Sequence, residues 1–289
     1  MSRNSAQHQP EPVGSLHRYA SMSEPSPAGP ADADPLAQVT GARAAWLDTT
    51  TTILAEHSWV VGVWLVGSLG RDQADAYSDV DLVVAVGDTA PAEVFTDPVA
   101  GLDLPGTVLY RRPKPCNAPS GGAYLAVGVA LADLPVLVDV VVWPARTAAI
   151  PADALVLYER FGLPAVATGF IPLLDAHRTS DTRGSDPDAA GTVLMLVQLA
   201  AKYLVRGNLP TLAGICEQLG IPADGCDVAV LRSVLDQRID TTRHPHARDA
   251  VLAAGRLLDL VDRHTTSVPP HDREPAGPTN AAAGGHHMR

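Results

Sequence analysis

Apolar residues fall in two rhythms along this chain, and the change between them divides it. In the first half they come as short, nearly continuous runs. Trp59 to Val66 is apolar at almost every position, as expected of a strand covered on both faces. Ahead of it, Leu36, Val39, Trp46, Leu47, Thr50, Ile53, Leu54 and His57 keep helical spacing and predict one amphipathic helix. A second strand is expected up to Val86. Pro91 opens a short helix or turn, Gly106–Arg111 reads as a strand, and the proline-broken stretch from Arg112 to Pro119 as a loop. Gly122–Ala132 predicts a strand that turns at Asp133-Leu134-Pro135 into another, Pro135–Trp143, as an antiparallel hairpin.

Beyond Trp143-Pro144 the spacing becomes helical, with Ala152–Phe161 an ambiguous short segment and 175–186 a polar loop. Asp186-Pro187-Asp188 has the chemistry of a helix start. Val193, Leu196, Val197, Ala200 and Leu204 give that helix its apolar stripe, and Gly207 closes it. Pro210–Leu219, Val228–Ile239 and His246–Val261 are expected as three more helices. Residues 1–35 and 265–289 are rich in Pro, Gly, Ala and Ser without periodicity and are expected to be disordered tails, Met22 being an alternative start. The expectation is an α+β protein: a mixed-sheet domain at 36–150, then an all-helical bundle at 151–264.

The chemistry concentrates in the segment VWLVGSLGRDQADAYSDVDLVVAV, Val63–Val86. Side chains on a strand alternate, so Asp79 and Asp81 point one way while Val80 and Leu82 turn to the core. Two neighbouring carboxylates repel unless a cation sits between them, and hard oxygen ligands suit magnesium. Gly67-Ser68, where a strand feeds a helix start, offers backbone N–H groups to a phosphate. A third acid, Asp139, is the lone charge in the apolar run PVLVDVVVW and is costly there as an unpaired structural residue. Set beside the first two, it would complete a two-metal arrangement for phosphoryl transfer.

Gly67-Ser68, ten intervening residues, Asp79-Val80-Asp81 and a later Asp139 resemble the DNA polymerase β-type nucleotidyltransferase superfamily. Arg71 matches an arginine of its small-substrate branches, whereas Asp72 departs from the glycine common there. The resemblance implies a nucleotidyltransferase domain followed by helices. It implies Asp79, Asp81 and Asp139 as metal-binding and catalytic residues, and Gly67, Ser68 and Arg71 at the nucleotide. Lys202, on a helix of the second half, would reach the triphosphate. It further implies two Mg2+ ions, an NTP (ATP by preference) as co-substrate, and transfer of an NMP to a hydroxyl of a small molecule. The size and order of the chain are similar to the aminoglycoside and lincosamide nucleotidyltransferases, which would make antibiotic resistance its role. Modification of protein or tRNA, and a catalytically silent nucleotide-binding regulator, are the alternatives.

Composition narrows the partners. A formal charge of −11 lacks the basic footprint needed to wrap nucleic acid, and suits a cationic small substrate as well as plain solubility. Cys116, Cys216 and Cys226 with no leader-like start predict a reducing cytoplasm, and no apolar run is long enough for a membrane span. Lys114 and Lys202 are the only lysines, a bias attributed to codon usage. Arg111, Arg112 and Lys114 stand where they could meet a triphosphate, though cations on a loop are commonly solvated. Ser68 could equally be a helix cap, Asp139 a core acid paired with arginine, and Lys202 a surface residue. Glu159 is a minor candidate for a base, with a surface ion pair as its plainer reading. His244 and His246 with Cys216 and Cys226 lack the spacing of a zinc site.

Overall fold

A computed structural model describes residues 34–222 and 225–267. The two expected tails lie almost wholly outside these residues. Helix α1 (Pro35–Glu56) starts from Asp34, whose carboxylate accepts the Leu36 N–H at 3.0 Å, with proline in the first turn. Its buried stripe is Val39, Arg43, Trp46, Leu47, Thr50 and Leu54. An arginine therefore sits in the middle of an apolar face.

Six strands follow in one sheet: β1 (Val60–Val66), β2 (Val80–Val86), β3 (Thr107–Pro113), β4 (Ala123–Leu131), β5 (Leu134–Pro144) and β6 (Leu155–Glu159), in spatial order β3-β4-β5-β2-β1-β6. Every neighbouring pair is antiparallel except β2 and β5. Between β1 and β2 lies a single turn of helix, α2 (Gly67–Gly70), and between β2 and β3 two more, α3 (Glu93–Thr96) and α4 (Pro98–Gly101). The β4–β5 hairpin turns on Ala132 and Asp133, with φ of 47° and 62°. This is earlier than expected, because Leu134 and Pro135 are already paired with Leu131 and Ala130. A two-residue turn with positive φ at both positions matches the twist of the strands it joins.

The segment read as ambiguous and placed among the helices is edge strand β6. Leu155–Glu159 pairs with β1, all five residues half-buried, so the sheet continues past position 150. So short an apolar run has too few turns for its period to separate strand from helix. Helix α5 (Phe170–Ala176) then leads to α6 (Ala190–Val205), which starts later than Asp186-Pro187-Asp188 suggested. Asp186 spends its carboxylate on the Asp188 N–H at 3.0 Å, a local turn that competes with helix capping.

From Thr192 to Lys202, α6 is buried nearly all round, as a central helix must be. Around it pack α7 (Leu209–Gln218), α8 (Val228–Arg238) and α9 (Arg248–Ser267). It also lies on the sheet: Gln198 accepts from Tyr110 at 2.5 Å and donates to the Pro135 carbonyl at 2.9 Å. Sheet and helices thus share one core. Among the described residues no helix is long and apolar enough to cross a membrane.

The hairpin turn gives a direct check. Replacing Ala132 by Asn and Asp133 by Gly relieves two left-handed positions and should stabilise the protein by about 1 kcal/mol. The expected readout is a higher urea midpoint at unchanged slope; a lower midpoint would mean that the turn has another geometry.

Candidate active site

The register of the one parallel pair builds the site. Asp81 on β2 stands opposite Asp139 on β5, and residues facing each other in a sheet point to the same side, their strands about 4.8 Å apart. Asp79, immediately before β2, falls on that side too, while Val80 and Leu82 are fully buried on the other, as alternation predicts. Lower on this face, α6 covers β5 through Gln198. Higher up, Trp143 packs on Phe170 of α5 and on His177, with ring centres 6.5 and 5.9 Å apart. The partly exposed acids occupy the strip between these two helices.

Gly67 closes the site from β1. It has φ +66°, and a Cβ there would stand 2.0 Å from Asp81 Oδ2, so the Asp81 carboxylate rests on bare backbone. Gly70 is equally constrained, since a Cβ would come within 2.7 Å of the Leu65 and Asp153 carbonyls. Ser68 is half-buried in the same turn. Arg71 follows it, exposed, with Nη1 3.9 Å from Asp153 Oδ2. Asp72 has φ +56°, so the position where glycine was expected does adopt the conformation glycine favours, which aspartate tolerates better than most residues.

The crossing from Arg71 to Asp79 is held from both sides by arginines that pattern reading overlooked. Arg43 of α1, buried, donates to the Ser78 and Asp75 carbonyls at 2.8 and 3.0 Å. Arg206, capping α6, donates Nε and Nη2 to the two Asp75 carboxylate oxygens at 2.9 and 2.6 Å and reaches Ser78 Oγ at 3.1 Å. A forked contact of this kind fixes orientation as well as distance. The hydrogen bonds from Arg206 and Ser78 outweigh partial burial and hold the Asp75 carboxyl below the ordinary carboxylate value. The approach to the acids is thereby tied to both the first helix and the central one.

Burial, and then the charges of Asp139 and Asp79, push the Asp81 carboxyl up to about 8, against the opposing pull of Lys202 and Arg71. Burial and Asp79 raise Asp139 to about 6, opposed by the Tyr124 hydroxyl, which donates to Asp139 Oδ1 at 2.9 Å, and by Arg112 and Lys202. The three acids thus form one electrostatic unit. Lys202, nearly buried on α6, makes a short charged hydrogen bond to Asp79 Oδ2. Burial alone would lower its ammonium; the Asp79 carboxylate overrides this and raises it.

Both lysines of the chain lie here. Lys114 is 3 % exposed and Lys202 8 %, and the charge of each acts on Asp139 or Asp79. The bond from Lys202 to Asp79 gives that lysine a local role that codon usage does not. Arg111 and Arg112, grouped with Lys114 in the sequence, separate by strand alternation: Arg111 pairs with Asp97 at 2.6 Å, whereas Arg112 shares the face of Asp139. Glu159 is not part of the site, because its carboxylate accepts the Leu163 N–H on the edge strand. Of the residues pattern reading missed, only Arg43 had a signal, a cation inside a buried helical stripe. Tyr124 and Arg206 gain meaning only from strand register or tertiary contact.

As the side chains stand, the described residues include no group of three His, Cys, Asp or Glu arranged to hold a metal ion. Asp79 is engaged by Lys202 and Asp139 by Tyr124. The donors nevertheless suit a hard divalent cation: clustered carboxylates, with Asp139 and Asp79 raising Asp81 and Asp81 seated where a side chain at Gly67 could not fit. An apolar crevice between α1, the start of β5, α6 and α9 borders Asp79 and Lys202, with Tyr77 and Gln198 in its lining.

Residues 47–116 match the family model described as a nucleotidyltransferase domain. The match takes in Gly67, Ser68, Arg71, Asp79 and Asp81 and ends before Asp139. The chain carries a nucleotidyltransferase domain of the DNA polymerase β-like superfamily and is a nucleotidyltransferase. Among solved structures, the STING-associated CdnE c-di-GMP synthase from Capnocytophaga granulosa is similar at 11 % identity, over 80 % of this chain and 83 % of that one, with a TM-score of 0.28. No curated protein matches.

The raised carboxylates make stability depend on pH in a definite direction. Between the unfolded value of about 3.9 and the folded values, the native state holds more protons than the unfolded one, so stability falls as pH rises. In chelator the melting temperature should drop from pH 5 to pH 8. Mg2+ or Mn2+ should restore more of it at pH 8 than at pH 5, and Asp81→Asn should flatten the profile. A melting temperature that climbs over this range in chelator would contradict the half-buried, mutually repelling acids.

Proposed function

We propose that the protein moves an NMP from an NTP, ATP by preference, to a hydroxyl of a small molecule in the cytoplasm. The observation carrying this reading is the pairing of Asp81 with Asp139 across the parallel strands, on the face that also holds Asp79 and beneath the Gly67-Ser68 turn. Asp79, Asp81 and Asp139 would hold two Mg2+ ions, which when bound neutralise charge on the phosphates and on the leaving pyrophosphate. Gly67 and Ser68 seat the triphosphate, and Arg71, exposed at the rim, adds positive charge. Lys202 leaves Asp79 for the triphosphate when nucleotide enters, so one ammonium neutralises first the acid and then the ligand. Asp139 takes the proton of the acceptor hydroxyl on the oxygen not bonded to Tyr124. The acceptor oxygen bonds to the α-phosphorus as the α–β bridge breaks and pyrophosphate departs. Arg43 and Arg206 keep Asp79 in place throughout.

Labelled NTPs with Mg2+, offered to small hydroxyl compounds (aminoglycosides and lincosamides included), to tRNA and to protein, test the reading. Label should pass to a small molecule with release of pyrophosphate. Asp79→Asn and Asp81→Asn should each lower kcat by about 10³-fold or more with melting curves still cooperative. Label found on protein or tRNA alone overturns the acceptor assignment, and turnover at the parent rate in either variant overturns the roles of these acids.

Arg206→Ala addresses positioning. It should cut kcat by about tenfold while the KM for NTP stays within about twofold, because it loosens the Asp79 crossing without touching nucleotide. A rise in KM alone would place Arg206 at the ligand instead.

A further inference from the structure

The strand register sets out a row of side chains wider than the acids. Arg112 on β3 stands opposite Ala126 on β4, Ala126 opposite Asp139, and Asp139 opposite Asp81. All four point to one face, so Arg112 lies two strands beyond Asp139, about 10 Å away, and four strands from the Gly67 turn, about 19 Å. Ala126 adds no bulk between the guanidinium and the Asp139 carboxylate, and the positive charge acts on Asp139 and on the Tyr124 hydroxyl.

Arg112 is half-buried, its Nε is out of contact with solvent, and that atom has no hydrogen-bond partner. Beside it Asn117, 1 % exposed, bonds the Tyr124 hydroxyl through its side chain and so holds the phenol that donates to Asp139. Lys114, two residues after Arg112, is a further cation near this face, while the Arg178 charge is already matched by Asp175 at 2.5 Å as its Nη1 donates to the Cys116 carbonyl at 3.1 Å. A buried donor without a partner is rare and costly, and a positive charge partly withdrawn from water favours an anion beside it. Neither observation is needed to explain the sheet.

If the triphosphate lies at Gly67-Ser68 and departs toward β1, an in-line nucleophile enters from the opposite side, across Asp139 and toward β3. We infer that the acceptor is an oxyanion, a hydroxyl compound that also carries a phosphate or carboxylate, and that Arg112 seats this charge while Asp139 meets the hydroxyl. This rests on the nucleotidyl-transfer reading and narrows its substrate. A polycationic amino sugar would bring its charge against Arg112 and Lys114; the acidity of the chain as a whole gives no local reason to prefer one. The planar fork of an arginine suits phosphate and carboxylate alike.

Matched acceptors separate the cases: adenosine with AMP, and glucose with glucose 6-phosphate and with glucuronate. Affinity for each is measured by calorimetry on the full chain saturated with Mg2+ and α,β-methylene ATP, so that the donor position is filled. Transfer is measured in parallel with labelled ATP. An anionic member should bind about tenfold tighter than its neutral partner, and the preference should vanish in Arg112→Gln and partly return in Arg112→Lys. In Arg112→Gln the acceptor KM should rise about tenfold with the NTP KM unchanged. Arg111→Gln, which alters the neighbouring arginine on the other face, should preserve the preference. Equal binding of charged and neutral members, a preference for kanamycin, or a rise in the NTP KM of Arg112→Gln overturns the inference. The calorimetric arm decides this even where no label moves, whereas absence of transfer to every class of acceptor counts against the reaction itself.

Discussion

Everything in this molecule is arranged around an unfavourable contact: carboxylates held side by side, largely out of water. Asp81 and Asp139 are neighbours because β2 and β5 run parallel in a fixed register, and a one-residue slip of either strand would send its acid to the opposite face. The other residues of β2 and β5 are almost all buried and apolar. Hydrophobic burial on both faces therefore fixes the register, and the register imposes the repulsion. A fold that accepts such a cost is poised to bind positive charge, and Lys202 already supplies one such charge at Asp79.

The central helix connects this charge to the rest of the chain. Within one helix, α6 packs against α7, α8 and α9, bonds the sheet through Gln198, neutralises Asp79 through Lys202, and at its end holds the Asp75 crossing through Arg206. The helical half is thus part of the site, and any change in how α6 sits reaches Asp79 through two separate contacts. Arg43 does the same from α1. The crossing between the Gly-Ser turn and the acids, polar and without regular structure, is held because Arg43 and Arg206, from helices far apart in the chain, grip the carbonyls of Asp75 and Ser78 and the Asp75 carboxylate.

Much of this was legible in the sequence, for physical reasons. Alternation alone placed Asp79 and Asp81 on one face opposite Val80 and Leu82, and a solitary acid in PVLVDVVVW drew attention to Asp139. Long helices with an apolar stripe, α1 and α6 among them, were readable from their period. What escaped was whatever depends on pairing between distant segments. Leu155–Glu159 carries too short a pattern to declare itself a strand until β1 is beside it. Tyr124 and Arg206 become meaningful only through register and packing, and the grouping of Arg111, Arg112 and Lys114 in the sequence hides that Arg111 turns away to Asp97 while Arg112 shares the face of Asp139. The helix start at 186–188 failed for a local reason, since aspartate serves a tight turn as readily as a cap.

The central claim is that Asp79, Asp81 and Asp139 together hold divalent metal beneath a nucleotide. It is tested most directly by diffraction at the manganese absorption edge from crystals grown with Mn2+ and a non-hydrolysable NTP. The account predicts anomalous density among these three carboxylates, with Lys202 released from Asp79 and turned to the phosphates. Density elsewhere, or an intact Lys202–Asp79 pair beneath bound nucleotide with no ion between Asp81 and Asp139, would contradict it.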